Sequence, residues 1–104
     1  MKVTYAVKWR EPDGRTYLGR LALGLRTLRL EGREPDGAVV DRQIGYEEVQ
    51  GLCLSGRGPD RLDGRPTLVI ERADGPYLVT SAAMGAGIVQ ELVDHLAALR
   101  LATR

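Results

Sequence analysis

The sequence predicts a mainly β fold, seven short antiparallel strands capped by one C-terminal α-helix over about residues 84–101. Three observations carry this. Apolar and polar residues alternate with a period of two in short segments as far as Ser81. Compact groups of Pro, Asp and Gly separate those segments. Beyond Met84 the apolar spacing lengthens to three and four, the period of a helix.

Val3, Tyr5, Val7 and Trp9 share one phase, with Thr4 and Lys8 in the other, so the chain opens on a half-buried strand. In the apolar run from Tyr17 to Leu30, Leu21, Leu23 and Leu25 keep one phase and Leu28 and Leu30 the other. That switch requires a turn or bulge near Gly24 to Thr27, and the run divides into two strands. Val39 to Ile44 and Val49 to Leu54 are the next strands, separated by Gly45-Tyr-Glu-Glu48. Thr67 to Arg72 and Tyr77 to Ser81 form a hairpin through Ala73-Asp-Gly-Pro76, because an Asp-Gly pair supplies the left-handed backbone that tight reversals need. In the last segment Ile88, Val89, Leu92, Val93, Leu96 and Leu99 line one helix face, opposite Gln90, Glu91 and Asp94. With no second helix predicted, that face is buried against the sheet or an open barrel end.

The pentapeptide Arg-Glu-Pro-Asp-Gly occurs twice, at Arg10 to Gly14 and at Arg33 to Gly37. Pro presets the backbone at the second turn position, Asp supports the bend, and Gly suits the residue after it. The flanking sequences share little, so the turn recurs and the unit does not. In a meander of the first four strands the two copies emerge at the same end of the sheet and are neighbours.

The 104 residues make a single domain, residues 1–104, long enough to bury a core without disulfides. Thirteen Arg and two Lys against fourteen acidic residues leave a net charge of +1, which argues against nucleic acid as a partner. No window approaches the roughly 20 apolar residues of a transmembrane segment, and the N-terminal residues lack a signal-peptide pattern, so the expected location is cytoplasmic. A single cysteine, Cys53 between Leu52 and Leu54, fits a reducing compartment and reads as a small buried hydrophobe.

The order of elements resembles that of PH-like domains, in particular bacterial PH and GRAM-type members. Gly19 to Leu30 is similar to the family's glycine-bearing hairpin, Ile44-Gly-Tyr-Glu-Glu-Val49 to the turn leading into its middle strand, and the Asp74-Gly75 hairpin running into the helix to its closing unit. The resemblance spans most of residues 17–101 and implies a seven-stranded PH-like barrel or sandwich. It also implies a non-catalytic module that binds a protein, a peptide or an anionic lipid headgroup. In its phosphoinositide-binding members a Lys precedes two basic residues one apart; Lys8, Arg10 and Arg15 match, and Tyr17 stands where the last basic residue would fall.

Nothing in the sequence assembles catalytic chemistry. His95, the only histidine, lies at the edge of the helix's apolar stripe, with no nucleophile or carboxylate set beside it by any motif. One His and one Cys do not make a zinc site, and Gly85-Ala-Gly87 lacks the Lys and Ser or Thr of a phosphate loop. The expectation is therefore no enzyme, no cofactor and no metal; the remaining alternative, an enzyme or an enzyme's accessory subunit, requires Glu47, Glu48 or His95 together in a closed pocket. The candidate ligand-binding residues are Lys8, Trp9, Arg57, Arg61 and Arg65. The three arginines lie in the most basic loop, Ser55 to Pro66, and suit bidentate recognition of an anion. Trp9, ending the first strand beside a turn, is either a strand-packing residue or an exposed aromatic contact. The expected partner is another protein or a second copy in a homodimer, with an anionic lipid headgroup as the alternative.

Overall fold

The computed structural model describes residues 3–55, 62–82 and 86–103. Seven antiparallel strands form one sheet: β1 (Val3–Arg10), β2 (Thr16–Leu23), β3 (Thr27–Arg33), β4 (Val39–Gly45), β5 (Gly51–Ser55), β6 (Thr67–Glu71) and β7 (Tyr77–Ser81). The helix α1 (Ala86–Thr103) follows. The phase switch between Leu23 and Leu28 is a turn between β2 and β3, and the Gly45-Tyr-Glu-Glu48 segment is a short 3₁₀ turn over Tyr46–Glu48.

The strand order is β4-β3-β2-β1-β7-β6-β5. Two meanders, β1 to β4 and β5 to β7, are joined where the first strand pairs with the last, Trp9 opposite Val79 and Val7 opposite Ser81. The sheet does not close: β4 and β5 are its edges. Its inner face carries Val7, Trp9, Leu21, Leu30, Ile70 and Val79, all buried, and α1 lays Val89, Leu92 and Leu96 against this core. The helix touches β5, β6, β7 and the 3₁₀ turn, spanning the half of the sheet that the first meander leaves uncovered.

Both copies of the repeated pentapeptide adopt the same reversal. In the first, the Glu11 amide donates to the Arg15 carbonyl, the Gly14 amide to the Glu11 carbonyl, and the Arg15 amide to Asp13 Oδ1, each at 2.9 Å. In the second, Glu34, Gly37 and Ala38 repeat these bonds at 2.9, 2.9 and 3.0 Å. Gly14 and Gly37 take φ of 90° and 94°, the left-handed position of a three-residue hairpin with a glycine bulge. A side chain there is strained by backbone geometry alone, since open space surrounds both positions. Gly14→Ala and Gly37→Ala are therefore each expected to cost about 1 kcal/mol, nearly equal between the two, when thermal denaturation is compared with wild type. A clearly unequal pair would mean that one loop is held by contacts beyond the turn.

The two loops are neighbours, as alternation requires: Arg15 Nη1 lies 3.9 Å from Glu34 Oε1. The β6–β7 hairpin joins them, because a Cβ placed on Gly75 would lie 2.9 Å from Pro12 Cβ. At this end Arg42, on the inner phase of β4 between Val40 and Ile44, reaches the buried Glu11 carboxylate through Nε at 2.9 Å and Nη2 at 3.3 Å. One copy of the repeat thus supplies a buried acid and the other, at Glu34, a partly exposed one.

One sequence expectation is corrected, and one left open is decided. Cys53 is exposed rather than buried, because β5 is an edge strand and Cys53 faces away from the core on its outer side. Of the two readings of Trp9 the strand-packing one holds: it is fully buried in the core and is not an exposed aromatic contact. Its ring packs 5.3 Å from that of Tyr17 and lies over Gly32, where the missing side chain leaves room for the indole.

Candidate functional site on the outer face of the sheet

Of the predicted ligand-binding residues, Lys8 is half-exposed on the outer face of β1, and Trp9 points to the opposite face. Arg65 is exposed, and its Nη1 donates to the Ser81 carbonyl at 3.2 Å, fastening the start of β6 to the end of β7. Arg57 and Arg61 lie outside the described residues. Lys8 lines a surface hollow.

That hollow is built by strand register. On the outer face one row runs Lys8, Leu18, Arg33, Val39 across β1, β2, β3 and β4. Leu18 is 61% and Val39 72% exposed, large for aliphatic side chains, with cationic side chains beside both. A hollow of about 560 Å³ opens between Lys8, Leu18, Arg33, Glu34 and Pro35, and a second of about 440 Å³ between Leu18, Arg20, Glu31, Arg33 and Val39. They share Leu18 and Arg33, so they form one groove crossing the strands toward the open β4 edge.

The charges around the groove are unevenly satisfied. In the neighbouring row Glu31 is 3.2 Å from both Arg20 and Arg29, and Arg29 also pairs with Asp41. Glu34 faces Arg15. Among the described residues the Arg33 guanidinium meets no carboxylate, and Arg10, on the same outer face, bonds only the Thr16 hydroxyl at 3.4 Å. The acids are thus paired with other arginines, while Arg33 projects its charge between two exposed aliphatic side chains.

The positions resembling a phosphoinositide site do not converge in this way. Arg15 turns to Asp13 and Glu34, and Tyr17 is buried beneath Trp9. The nearby Glu11 carboxylate is already paired with Arg42, so neither charge is turned toward these positions.

His95 is half-buried at the sheet–helix junction. Its Nδ1 lies 3.4 Å from the Tyr5 hydroxyl, which donates to Glu91 Oε1 at the same distance. Glu48 bonds the Gly45 amide at 2.7 Å and Arg72 at 3.4 Å, and Glu47 is exposed. The two Glu48 contacts tie the 3₁₀ turn to the end of β4 and to Arg72 beyond β6. Among the described residues no cluster of three or more His, Cys, Asp or Glu is placed to hold a metal, and no helix is long and apolar enough to cross a membrane.

Burial raises the phenol pKa of Tyr46 and Tyr77 above the usual 10.0, with Glu11 adding to the effect at Tyr77; for Tyr5 burial leads and Glu91 adds. Tyr46 also donates to the Gly24 carbonyl at 2.6 Å, tying the 3₁₀ turn to the β2–β3 turn. The folded state favours the neutral phenols, so their contribution is fully present below the unfolded pKa of about 10 and is lost as pH rises toward the folded values. Denaturation midpoints should hold steady to about pH 9.5 and fall above it, with ultraviolet titration showing these phenols ionising late. A midpoint that rose with alkaline pH would contradict this.

The sequence missed Leu18, Arg33 and Val39. A signal was present: Leu18 stands in the polar phase of β2, between Thr16 and Arg20, and Val39 shares the outer phase of β4 with Asp41 and Gln43. Arg33 was hidden inside the repeated turn sequence. Compared with known proteins, the chain matches no family model and no curated protein.

Proposed function

We propose that the chain is a PH-like, non-catalytic module that binds an extended segment of a partner protein, one bearing a carboxylate flanked by apolar side chains. The row Lys8, Leu18, Arg33, Val39 carries this reading: two exposed aliphatic side chains alternate with cations, and Arg33 has no acid among the described residues. A guanidinium presents a planar fork to a carboxylate, while Leu18, Val39 and Pro35 gain by covering their exposed apolar surface. The PH-like assignment is supported by the seven antiparallel strands and C-terminal helix. A cytoplasmic setting suits an exposed thiol at Cys53. The anionic-headgroup alternative is disfavoured by the pairing of Arg15 with Asp13 and Glu34.

Selection from a displayed library of random peptides tests the reading. Recovered sequences should be enriched in Asp or Glu next to aliphatic or aromatic residues. Affinity should fall about tenfold for Leu18→Asp and for Arg33→Glu, and should weaken as salt rises. Peptides without acidic enrichment, or binding indifferent to both substitutions, would sink it.

A further inference from the structure

The two edges of the sheet are not alike. At β4 the edge carries Asp41, Arg42 and Gln43, charged and polar side chains of the kind that discourage pairing with another chain. At β5 the edge is Gly-Leu-Cys-Leu-Ser, without a charge or a proline, and Leu54 is 37% exposed. Glycine ends it on one side and serine on the other, and leucines flank a central Cys53. Read backwards, its three central residues are unchanged.

We infer that β5 pairs antiparallel with β5 of a second copy of this chain, about a two-fold axis through Cys53. In this register Leu52 faces Leu54 of the second copy, Leu54 faces its Leu52, and Cys53 faces Cys53. An isologous contact of this kind needs a strand that matches itself when reversed, which Leu-Cys-Leu does. Side-chain direction is consistent throughout. Leu52 and Leu54 stand on the core side, opposite Ile70 and Leu68, while Cys53 stands on the outer side, opposite Val69. The pairing therefore continues both faces of the sheet, covers Leu54, and brings two exposed thiols together.

Main-chain phase agrees. The Gln50 amide donates to the Glu71 carbonyl at 2.7 Å beside the Gly51–Glu71 pair, two successive residues set against one. The ladder with β6 then uses the groups of Gly51, Cys53 and Ser55, and turns those of Leu52 and Leu54 to the open side. In the dimer Leu52 and Leu54 become hydrogen-bonded pairs and Cys53 a non-hydrogen-bonded pair, whose Cα atoms lie about 4.5 Å apart, within disulfide range. A five-residue edge makes a small contact, so the dimer is weak and depends on concentration. It uses a surface distinct from the groove of Leu18 and Arg33.

Sedimentation of the full chain in reductant should show a monomer–dimer equilibrium. Treatment with diamide, reduced to its hydrazine as two thiols surrender two electrons and two protons, should give a Cys53-linked dimer. A C53S/Q43C double variant, with its thiol on the β4 edge, should cross-link at least tenfold more slowly. Leu54→Lys should abolish the equilibrium while leaving Trp9 emission native and peptide binding intact. Leu18→Asp should do the reverse, so the two surfaces fail separately. A monomer at millimolar concentration, equal cross-linking from Gln43→Cys, or a dimer indifferent to Leu54→Lys would each overturn the inference.

Discussion

Trp9→Ala is expected to lower stability by about 3–5 kcal/mol, a large share of the roughly 5–15 kcal/mol typical of a folded domain. The indole is fully buried, packs against Tyr17, and occupies the space over Gly32. Its removal leaves a void that β1, β2 and β3 cannot close, because β1 is held on both sides, by β2 and by β7. Its Nε1 is buried without an acceptor among the described residues, so the ring is retained for shape rather than for its hydrogen bond. Trp9→Phe, which keeps an aromatic ring and removes that orphan donor, should cost only about 1–2 kcal/mol. Denaturant unfolding followed by circular dichroism compares the two; in the wild type the sole tryptophan reports unfolding by fluorescence. A loss below about 1 kcal/mol for Trp9→Ala would show that the indole is not an anchor of the core.

Gly19→Ala is expected to be as damaging, by the opposite route. Gly19 and Gly32 are direct partners on β2 and β3. A Cβ on Gly19 would lie 1.9 Å from the Glu31 carbonyl oxygen and 2.5 Å from Gly32 Cα, both main-chain atoms. Both strands are interior to the sheet, so relieving the clash moves paired backbone on each side. We expect a cost of about 3 kcal/mol or more, and a melting temperature lower by about 12 °C or more. By contrast, Gly37→Ala bends only an exposed turn. If Gly19→Ala proved no worse than Gly37→Ala, the close approach of β2 and β3 would not be what shapes this part of the sheet. Gly32 belongs to the same device: a Cβ there would lie 2.6 Å from Trp9 Cη2 and 2.7 Å from the Leu18 carbonyl oxygen. The glycine pair lets the sheet bend, and the indole restores the packing that the missing side chains give up.

Much of this fold was legible in the sequence because its signals are local. Alternation marked β1, β2 and β3, since successive side chains of a strand face opposite sides. Glu-Pro-Asp-Gly specified both reversals through φ restriction and a side-chain bond two residues on, which needs no distant partner. Trp9 and Cys53 were harder for one shared reason: exposure depends on which strand lies alongside. Position beside a turn left the surroundings of Trp9 open, yet Gly32, remote in sequence, makes its pocket. Leucine neighbours suggested a buried Cys53, yet β5 has a partner on only one side.

The binding groove shows the same division. Residue type marked Lys8, and the misplaced phase of Leu18 was visible, but neither says that Arg33 and Val39 stand in the same row. The arginines of the 55–66 loop attracted attention by composition, and Arg65, the one described, spends a guanidinium hydrogen on a backbone carbonyl.

The sequence by itself determined the seven strands, their turns and the helix, because periodicity and turn chemistry act between residues a few positions apart. The tertiary structure alone decided that the first strand meets the last, which edges stay open, that Trp9 fills the space over Gly32, and that Leu18, Arg33 and Val39 share one face. Those outcomes rest on contacts between residues far apart in the chain, whose register no local preference encodes.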